Sequence, residues 1–273
     1  MLYKRLLVAV ICVPLILACI YWGQWVYLAL LLLTFGLAEI EYCRLNIQAG
    51  FRPAGVFGLG LVWFLLVEPY LHDFYPHLDL WRLGLAILIL SALAWYVIRS
   101  DKDAFNNWAL TIAGGLYLGL CGAFLVLLRR RPDGLWWTMV VAIAVFAGDS
   151  GAYFVGRKWG RHALAPAISP GKTWEGYWAG VMTGGVSAAF VATLWRMGMD
   201  SQVPFTGWHG LFVGMLIELL SPLGDLTVSV LKRKAKCKNS SDLIPGHGGF
   251  LDKLDSVLWG GVIAYVCALC IGR

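Results

Sequence analysis

Between Ser229 and Asp255 the chain gathers the bases Lys232, Arg233, Lys234, Lys236 and Lys238, a Gly246-His247-Gly248-Gly249 turn, and the carboxylates Asp252 and Asp255. Clustered bases can neutralise a triphosphate, or serve only as anchors at a membrane surface. Glycines let the backbone come close to a ligand, and His247 can donate to a phosphate oxygen. Asp252 and Asp255 are three residues apart and share a face if a helix starts there. With Asp225 upstream they offer carboxylates from two elements, the ligand type that Mg²⁺ uses together with substrate phosphates. This chemistry suits a charged lipid or a nucleotide.

A second polar stretch, Gly156-Arg157 to Glu175, contains Ser169-Pro-Gly-Lys172-Thr173. Gly171-Lys-Thr173 opening a helix is similar to the end of a P-loop. That motif requires glycine where Pro166 stands, and no strand is expected before it, so a P-loop is excluded. Ser169, Lys172 and Thr173 remain at an expected helix N-terminus, where free N–H groups favour an anion; ordinary surface charge with capping explains them equally. Nearby apolar runs hold Asp149, Glu218 and Asp225. Intramembrane acids usually line a wet cavity. Glu218 and Asp225 are two helical turns apart on one face, and Pro222 and Gly224 between them predict a broken or kinked helix lining a polar cavity.

These groups must be positioned by apolar helices. The 273 residues are 59% hydrophobic and 14% charged, against about 25% charged in soluble domains. Runs near membrane-spanning length recur, and continuous stretches such as Leu28 to Leu33 exclude the alternation of a β-barrel. The predicted fold is an all-α polytopic membrane protein with nine spans near 5–21, 24–42, 54–71, 80–98, 108–128, 134–156, 174–195, 208–231 and 254–272, and a cytoplasm-facing polar cavity in its C-terminal half. The basic, apolar N-terminus reads as an uncleaved first helix rather than a signal peptide.

With nine spans, every Lys and Arg except Arg82, Arg129, Arg130, Arg131, Arg196 and Arg273 falls on one side. That side is cytoplasmic by the positive-inside rule, so the N-terminus and both polar loops face the cytosol, where they can serve one site. The cell (inner or plasma) membrane is the expected location. The net charge of +6 suits anionic lipid headgroups; with no soluble basic domain, nucleic acid is not an expected partner. The cysteines follow no disulfide pattern, and Cys267-x-x-Cys270 lies mid-span without a second pair, which favours helix packing over zinc.

By content the chain divides at residue 133. Residues 1–133 form a scaffold of five spans, a candidate homodimer interface, in which Glu39, Glu41 and Glu68 sit near span ends as anchors. Residues 134–273 form the catalytic part, with loops 157–173 and 232–253.

The segment 229–255 resembles the signature of the phosphatidate cytidylyltransferases, the CDP-diacylglycerol synthases, through Ser229, Lys232-Arg233, Lys238, Pro245, His247-Gly-Gly249, Asp252 and Asp255 at the family's spacing. Gly148-Asp149-x-Gly-Ala-Tyr153, Gly156-Arg157, Ser169-Pro-Gly-Lys-Thr173 with Glu175, and Gly224-Asp225 are also similar to family motifs. The likeness is specific over about residues 140–260. Two positions depart: Asn239 replaces an acid and Lys253 an arginine.

The resemblance implies that CTP and phosphatidic acid give CDP-diacylglycerol and pyrophosphate, with one Mg²⁺ ion or two. It implies Asp225 and Asp252 as metal ligands, and Lys232, Arg233, Lys238, His247 and Asp149 as catalytic groups. Tyr153, Ser169, Lys172, Thr173, Ser229, Gly246, Gly248, Gly249 and Asp255 would bind substrate. The alternatives are a related CTP-dependent enzyme acting on another lipid phosphate or a lipid alcohol, and a secondary transporter.

Overall fold

The computed structural model describes residues 2–198, 205–241, 243 and 248–271, with side chains from residue 11 onward. The described residues form nine α-helices and one small hairpin: α1 (Leu2–Trp22), α2 (Gln24–Gln48), α3 (Gly55–Phe74), α4 (Leu80–Ile98), α5 (Ala104–Arg130), α6 (Gly134–Trp159), β1 (Ala163–Ala165), β2 (Ser169–Thr173), α7 (Trp174–Gly198), α8 (Gly207–Lys234) and α9 (Leu251–Ile271). Eight of them, α2 to α9, are long and apolar enough to cross a membrane; within α1 the apolar stretch Ile11–Trp22 is shorter. Their outer faces are greasy: Met182, Val186 and Phe190 make an exposed stripe on α7, spaced four residues apart as one helical face requires. Such a stripe suits lipid. The chain is a multi-pass helical membrane protein.

Contacts divide the chain into two compact units. The first comprises Met1–Leu127 and Leu231–Leu254, the second Leu128–Val230 and Asp255–Arg273.

In the first unit Leu61, Ala92 and Ile112 from α3, α4 and α5 meet in a core flanked by Phe57, Leu85 and Trp108. A polar seam ties the α2–α3 connection to α5. Asn107 Oδ1 accepts from the Arg52 amide at 2.8 Å, and Thr111 Oγ1 accepts from the Ala54 amide at 2.8 Å. Buried amides off a helix need such partners in a low-dielectric interior.

In the second unit α6 and α7 pack along their length. Between them β1 and β2 pair antiparallel, Ala163 with Thr173 and Ala165 with Ser169. Glu175 closes this hairpin, accepting from the amides of Arg161 (3.1 Å) and His162 (3.3 Å) and meeting His162 Nδ1 at 2.6 Å. A strand therefore does precede residue 166, contrary to the sequence expectation. Residues 169–173 are nonetheless an extended strand, not a phosphate-cradling loop.

Of the broken or kinked α8 expected at Pro222, the break is absent: the helix continues through the proline. Proline removes one backbone donor and crowds the preceding turn. Near the proline, the Tyr177 hydroxyl of α7 donates to the Leu219 carbonyl of α8 at 3.0 Å. Gly224 is where α8 touches the start of α9's share of this unit; a methyl group there would collide with the Asp255 carbonyl and sit 2.6 Å from the Trp259 ring. Its absent side chain permits the close approach that small residues give membrane helices.

Candidate active site

The predicted residues fall into two clusters, one in each unit.

The first-unit cluster is built on Asp252, in the first turn of α9. Its Oδ1 meets Lys232 Nζ, from the last turn of α8, at 2.6 Å. Its Oδ2 accepts from the Ser240 amide (3.0 Å) and the Gly249 amide (3.1 Å), and shares the proton of the Ser240 hydroxyl (2.9 Å) with Glu41 of α2. The side chains of Lys232 and Asp252 are only 14% and 11% exposed, so solvent screens the pair weakly. Gly248 has φ +85°, a backbone setting that strains other residues, and a methyl group there would sit 2.6 Å from Asp252 Oδ2. Arg233, Lys234, Lys236 and Lys238 are exposed, and Lys234 Nζ lies 4.6 Å from the centre of the Phe51 ring. Gly246 and His247, together with Pro245 and Asp242, lie outside the described residues.

One member of this cluster was read from sequence only as an anchor near a span end. Glu41 sits inside α2, which extends to Gln48, and is completely buried, so it anchors to protein partners and not to water. Its Oε1 accepts from the Ser241 hydroxyl (2.5 Å) and the Phe250 amide (3.0 Å), its Oε2 from the Ser240 hydroxyl (2.8 Å) and the Leu251 amide (2.9 Å). Ser240 and Ser241 also escaped notice, because serines in a polar loop carry no distinguishing signal. The acids at positions 39 and 41, inside a helix of spanning length, were the available clue. Glu39, one half-turn earlier, is buried too, with Oε2 unpartnered.

The second-unit cluster is built on Asp225 of α8. Lys172, on β2, forms an ion pair with it, and the Ser229 hydroxyl lies 3.4 Å from its Oδ1. Asp255 is 3% exposed, accepts from the Ser256 amide at 2.7 Å, and feels the charges of Asp225, Asp149 and Lys172. Glu218 is buried beside Asp149 with Oε1 lacking a hydrogen-bond partner, and its carboxyl lies against Gly148, where a methyl group would collide with it.

Ser169 and Lys172 belong to the strand, not to a helix N-terminus. Only Thr173 has that role: its hydroxyl accepts from the Gly176 amide at 3.2 Å, capping α7. Tyr153 is exposed on α6, its hydroxyl accepting from Arg157 Nη1 at 2.8 Å.

Among the described residues no three His, Cys, Asp or Glu side chains converge closely enough to hold a metal ion. Mg²⁺ bound with phosphate substrates needs only one or two carboxylates, the rest being phosphate oxygens and water. Asp225, 35% exposed with a single lysine partner, fits that donor set. Asp252 fits more narrowly: three donors fill Oδ2, leaving lone-pair capacity only on Oδ1, beside Lys232.

A multi-pass helical membrane protein with two lysine–carboxylate pairs, Lys232–Asp252 and Lys172–Asp225, is thus defined. The chain belongs to the cytidylyltransferase family, whose model matches residues 3–271, and it is a nucleotidyltransferase. It is similar to the phosphatidate cytidylyltransferase of Haemophilus influenzae, 33% identical over 94% of this chain and 95% of that protein. It is 28% identical to the Bacillus subtilis protein of the same name over 94% and 93% of the two chains. The Mycobacterium bovis phosphatidate cytidylyltransferase is 36% identical over 61% of this chain and 52% of its own length.

Proposed function

We propose that this chain joins CTP to phosphatidic acid, releasing pyrophosphate and forming CDP-diacylglycerol for phospholipid synthesis. The observation that carries this reading is similarity over nine-tenths of the chain to relatives bearing that activity in their names. A lipid phosphate oxygen forms a bond to the α-phosphorus of CTP as the bond from that phosphorus to the bridging β-phosphate oxygen breaks. Pyrophosphate leaves with the electron pair. No covalent enzyme intermediate is required.

Both reactants are anions, so the barrier is dominated by repulsion and misalignment. Lys232, Arg233 and Lys238 supply positive charge to nucleotide phosphates, and the Gly248-Gly249 backbone leaves room for them. Lys172 supplies positive charge to a phosphate from the second unit. Asp225 and Asp252 are each proposed as a carboxylate ligand for Mg²⁺. Mg²⁺ held at either carboxylate would supply positive charge to phosphate oxygens. Asp255 and Asp149 add further carboxyl groups to the neighbourhood of Asp225, a setting that favours a cation there. The positive-inside count puts the N-terminus, the β1–β2 hairpin and the segment after α8 on the cytoplasmic side of the cell membrane, where CTP is available.

The test uses purified protein in nanodiscs with phosphatidic acid and α-labelled CTP, with Mg²⁺ or with chelator. CMP-linked lipid and pyrophosphate, formed only with Mg²⁺, are expected. Phosphorylated lipid with CDP would reassign the chain to a lipid kinase reaction, and no CTP consumption would overturn the reading.

A further inference from the structure

We propose that Glu41 is a positioning residue for the transfer reaction, holding the loop that carries Ser240 and Gly249 so that Lys232 and Asp252 are set for the nucleotide. The inference rests on the function proposed above, but its structural basis is independent of it.

Glu41 comes from α2, about 200 residues before the groups it holds, and four donors face it, the Ser240 hydroxyl being shared with Asp252. Two come from serine hydroxyls at one end of the loop. The other two come from the amides of Phe250 and Leu251, which open α9 and have no partner within that helix. A carboxylate at this point also complements the helix dipole. The loop is thus pinned at both ends by one side chain.

The pin is coupled to Asp252. The Ser240 hydroxyl lies between Glu41 Oε2 (2.8 Å) and Asp252 Oδ2 (2.9 Å), and the Ser240 amide also donates to Asp252. Position 249 admits only glycine, because a methyl group would collide with Glu41 and with the Ser240 hydroxyl. Displacing Glu41 therefore removes the support of two of the three donors that fix Asp252 Oδ2, and Asp252 in turn fixes Lys232. A purely structural anchor would need none of this coupling.

Glu41→Gln keeps the shape but places an amide NH₂ against a hydroxyl and a backbone N–H. The hydroxyl can rotate to accept; the amide cannot, so one helix-opening N–H loses its partner. Loss of a charged hydrogen-bond acceptor of this kind corresponds to about tenfold or more in an equilibrium.

The experiment uses the full chain in nanodiscs. Tryptic cleavage after the exposed Lys236 and Lys238 reads the open population of the loop, and steady-state kinetics give KM for CTP and for phosphatidic acid. Glu41→Gln is expected to speed cleavage about tenfold and raise KM for CTP about tenfold, with KM for the lipid changed less than about threefold. Ser241→Ala, which removes one donor at the surface, should act in the same direction about threefold, and it keeps the proposal testable if the glutamine variant does not fold. Unchanged cleavage and unchanged KM for CTP in a folded Glu41→Gln protein, or in Ser241→Ala when only that variant folds, would overturn the proposal. Faster cleavage in the variants of a wild-type protein that never consumes CTP would support the pin and refute the proposed reaction instead.

Discussion

Asp252 and Lys232 form one ion pair, yet the structure predicts that removing the two partners has unequal consequences. Lys232→Met deletes one donor and leaves Asp252 with its three contacts to Ser240 and Gly249. Asp252→Asn disturbs all four. With its oxygen in the Oδ2 position, the three donors meet a neutral acceptor and the NH₂ group faces the lysine ammonium; with the amide flipped, NH₂ faces two backbone N–H groups. A hydrogen bond to a charged group is worth about 1.5–3 kcal/mol and to a neutral one about 0.5–1.5. Weakening three bonds by about 0.5–1 kcal/mol each and losing the pair gives about 3 kcal/mol for Asp252→Asn. Lys232→Met comes to about 1–2 kcal/mol. In terms of local opening these are about a hundredfold and about tenfold. Hydrogen exchange at the Ser240 and Gly249 amides, followed by mass spectrometry at fixed pH in nanodiscs, reads this directly. If Lys232→Met loosens those two amides as much as Asp252→Asn does, the ranking of the contacts is wrong and Asp252 is not the centre of the loop.

Four further outcomes are expected. Asp225→Asn lowers CTP turnover by at least about a hundredfold, as removal of a group stabilising the transferring phosphate should, while yield and membrane insertion stay at wild-type levels; normal turnover would reject its metal role. Gly224→Ala drives a methyl group into the Asp255 carbonyl and costs about 1–3 kcal/mol through overpacking, seen as a lower Tm in detergent. Glu175→Ala leaves the Arg161 and His162 amides without their acceptor, and faster tryptic cleavage after Arg161 marks the loosened hairpin. Asn239→Asp restores the acid found in the family pattern; an increased kcat/KM for CTP shows that the carboxylate matters, and no change shows that it does not.

The helices were legible because apolar runs of spanning length are nearly unambiguous once water is excluded as a partner for the backbone. The nine helices start and stop within a few residues of their expected positions, except where polar ends such as Glu41 to Gln48 prolong a helix beyond its apolar stretch. Lys232, Asp252, Lys172 and Asp225 could be chosen by residue type and motif, but their pairing could not, since it depends on tertiary contacts across 20 to 53 residues of sequence. Pro222 signalled a break or a kink, and residue type alone could not show that α8 continues through it. The hairpin was missed because Ser-Pro-Gly-Lys-Thr has weak strand propensity; Glu175 fastens it from outside. Glu41 was legible as an oddity and illegible as a hub, since its four partners are a loop nearly 200 residues away.

Asp225 and Asp252, each proposed as a carboxylate ligand for Mg²⁺, both already face a lysine. An uncompensated carboxylate among apolar helices is expensive to hold, and a lysine beside it offsets that expense. The same pairing makes either charge a poor lone ligand: a free divalent ion meets a lysine, and a free triphosphate meets an acid. A nucleotide and a cation arriving together offer each member a partner of the opposite sign, so the number of ion pairs is conserved while their identity changes. On the proposed function, Mg²⁺ and CTP therefore bind with positive coupling, and each must tighten the other by the same factor. Titrating CTP by calorimetry at rising Mg²⁺ concentrations, with free MgCTP formation subtracted, measures that factor in the wild type. In Lys172→Met and Lys232→Met it should shrink, because a carboxylate released from its lysine binds the cation without the nucleotide; coupling unchanged in both variants would show that the lysines do not gate these acids.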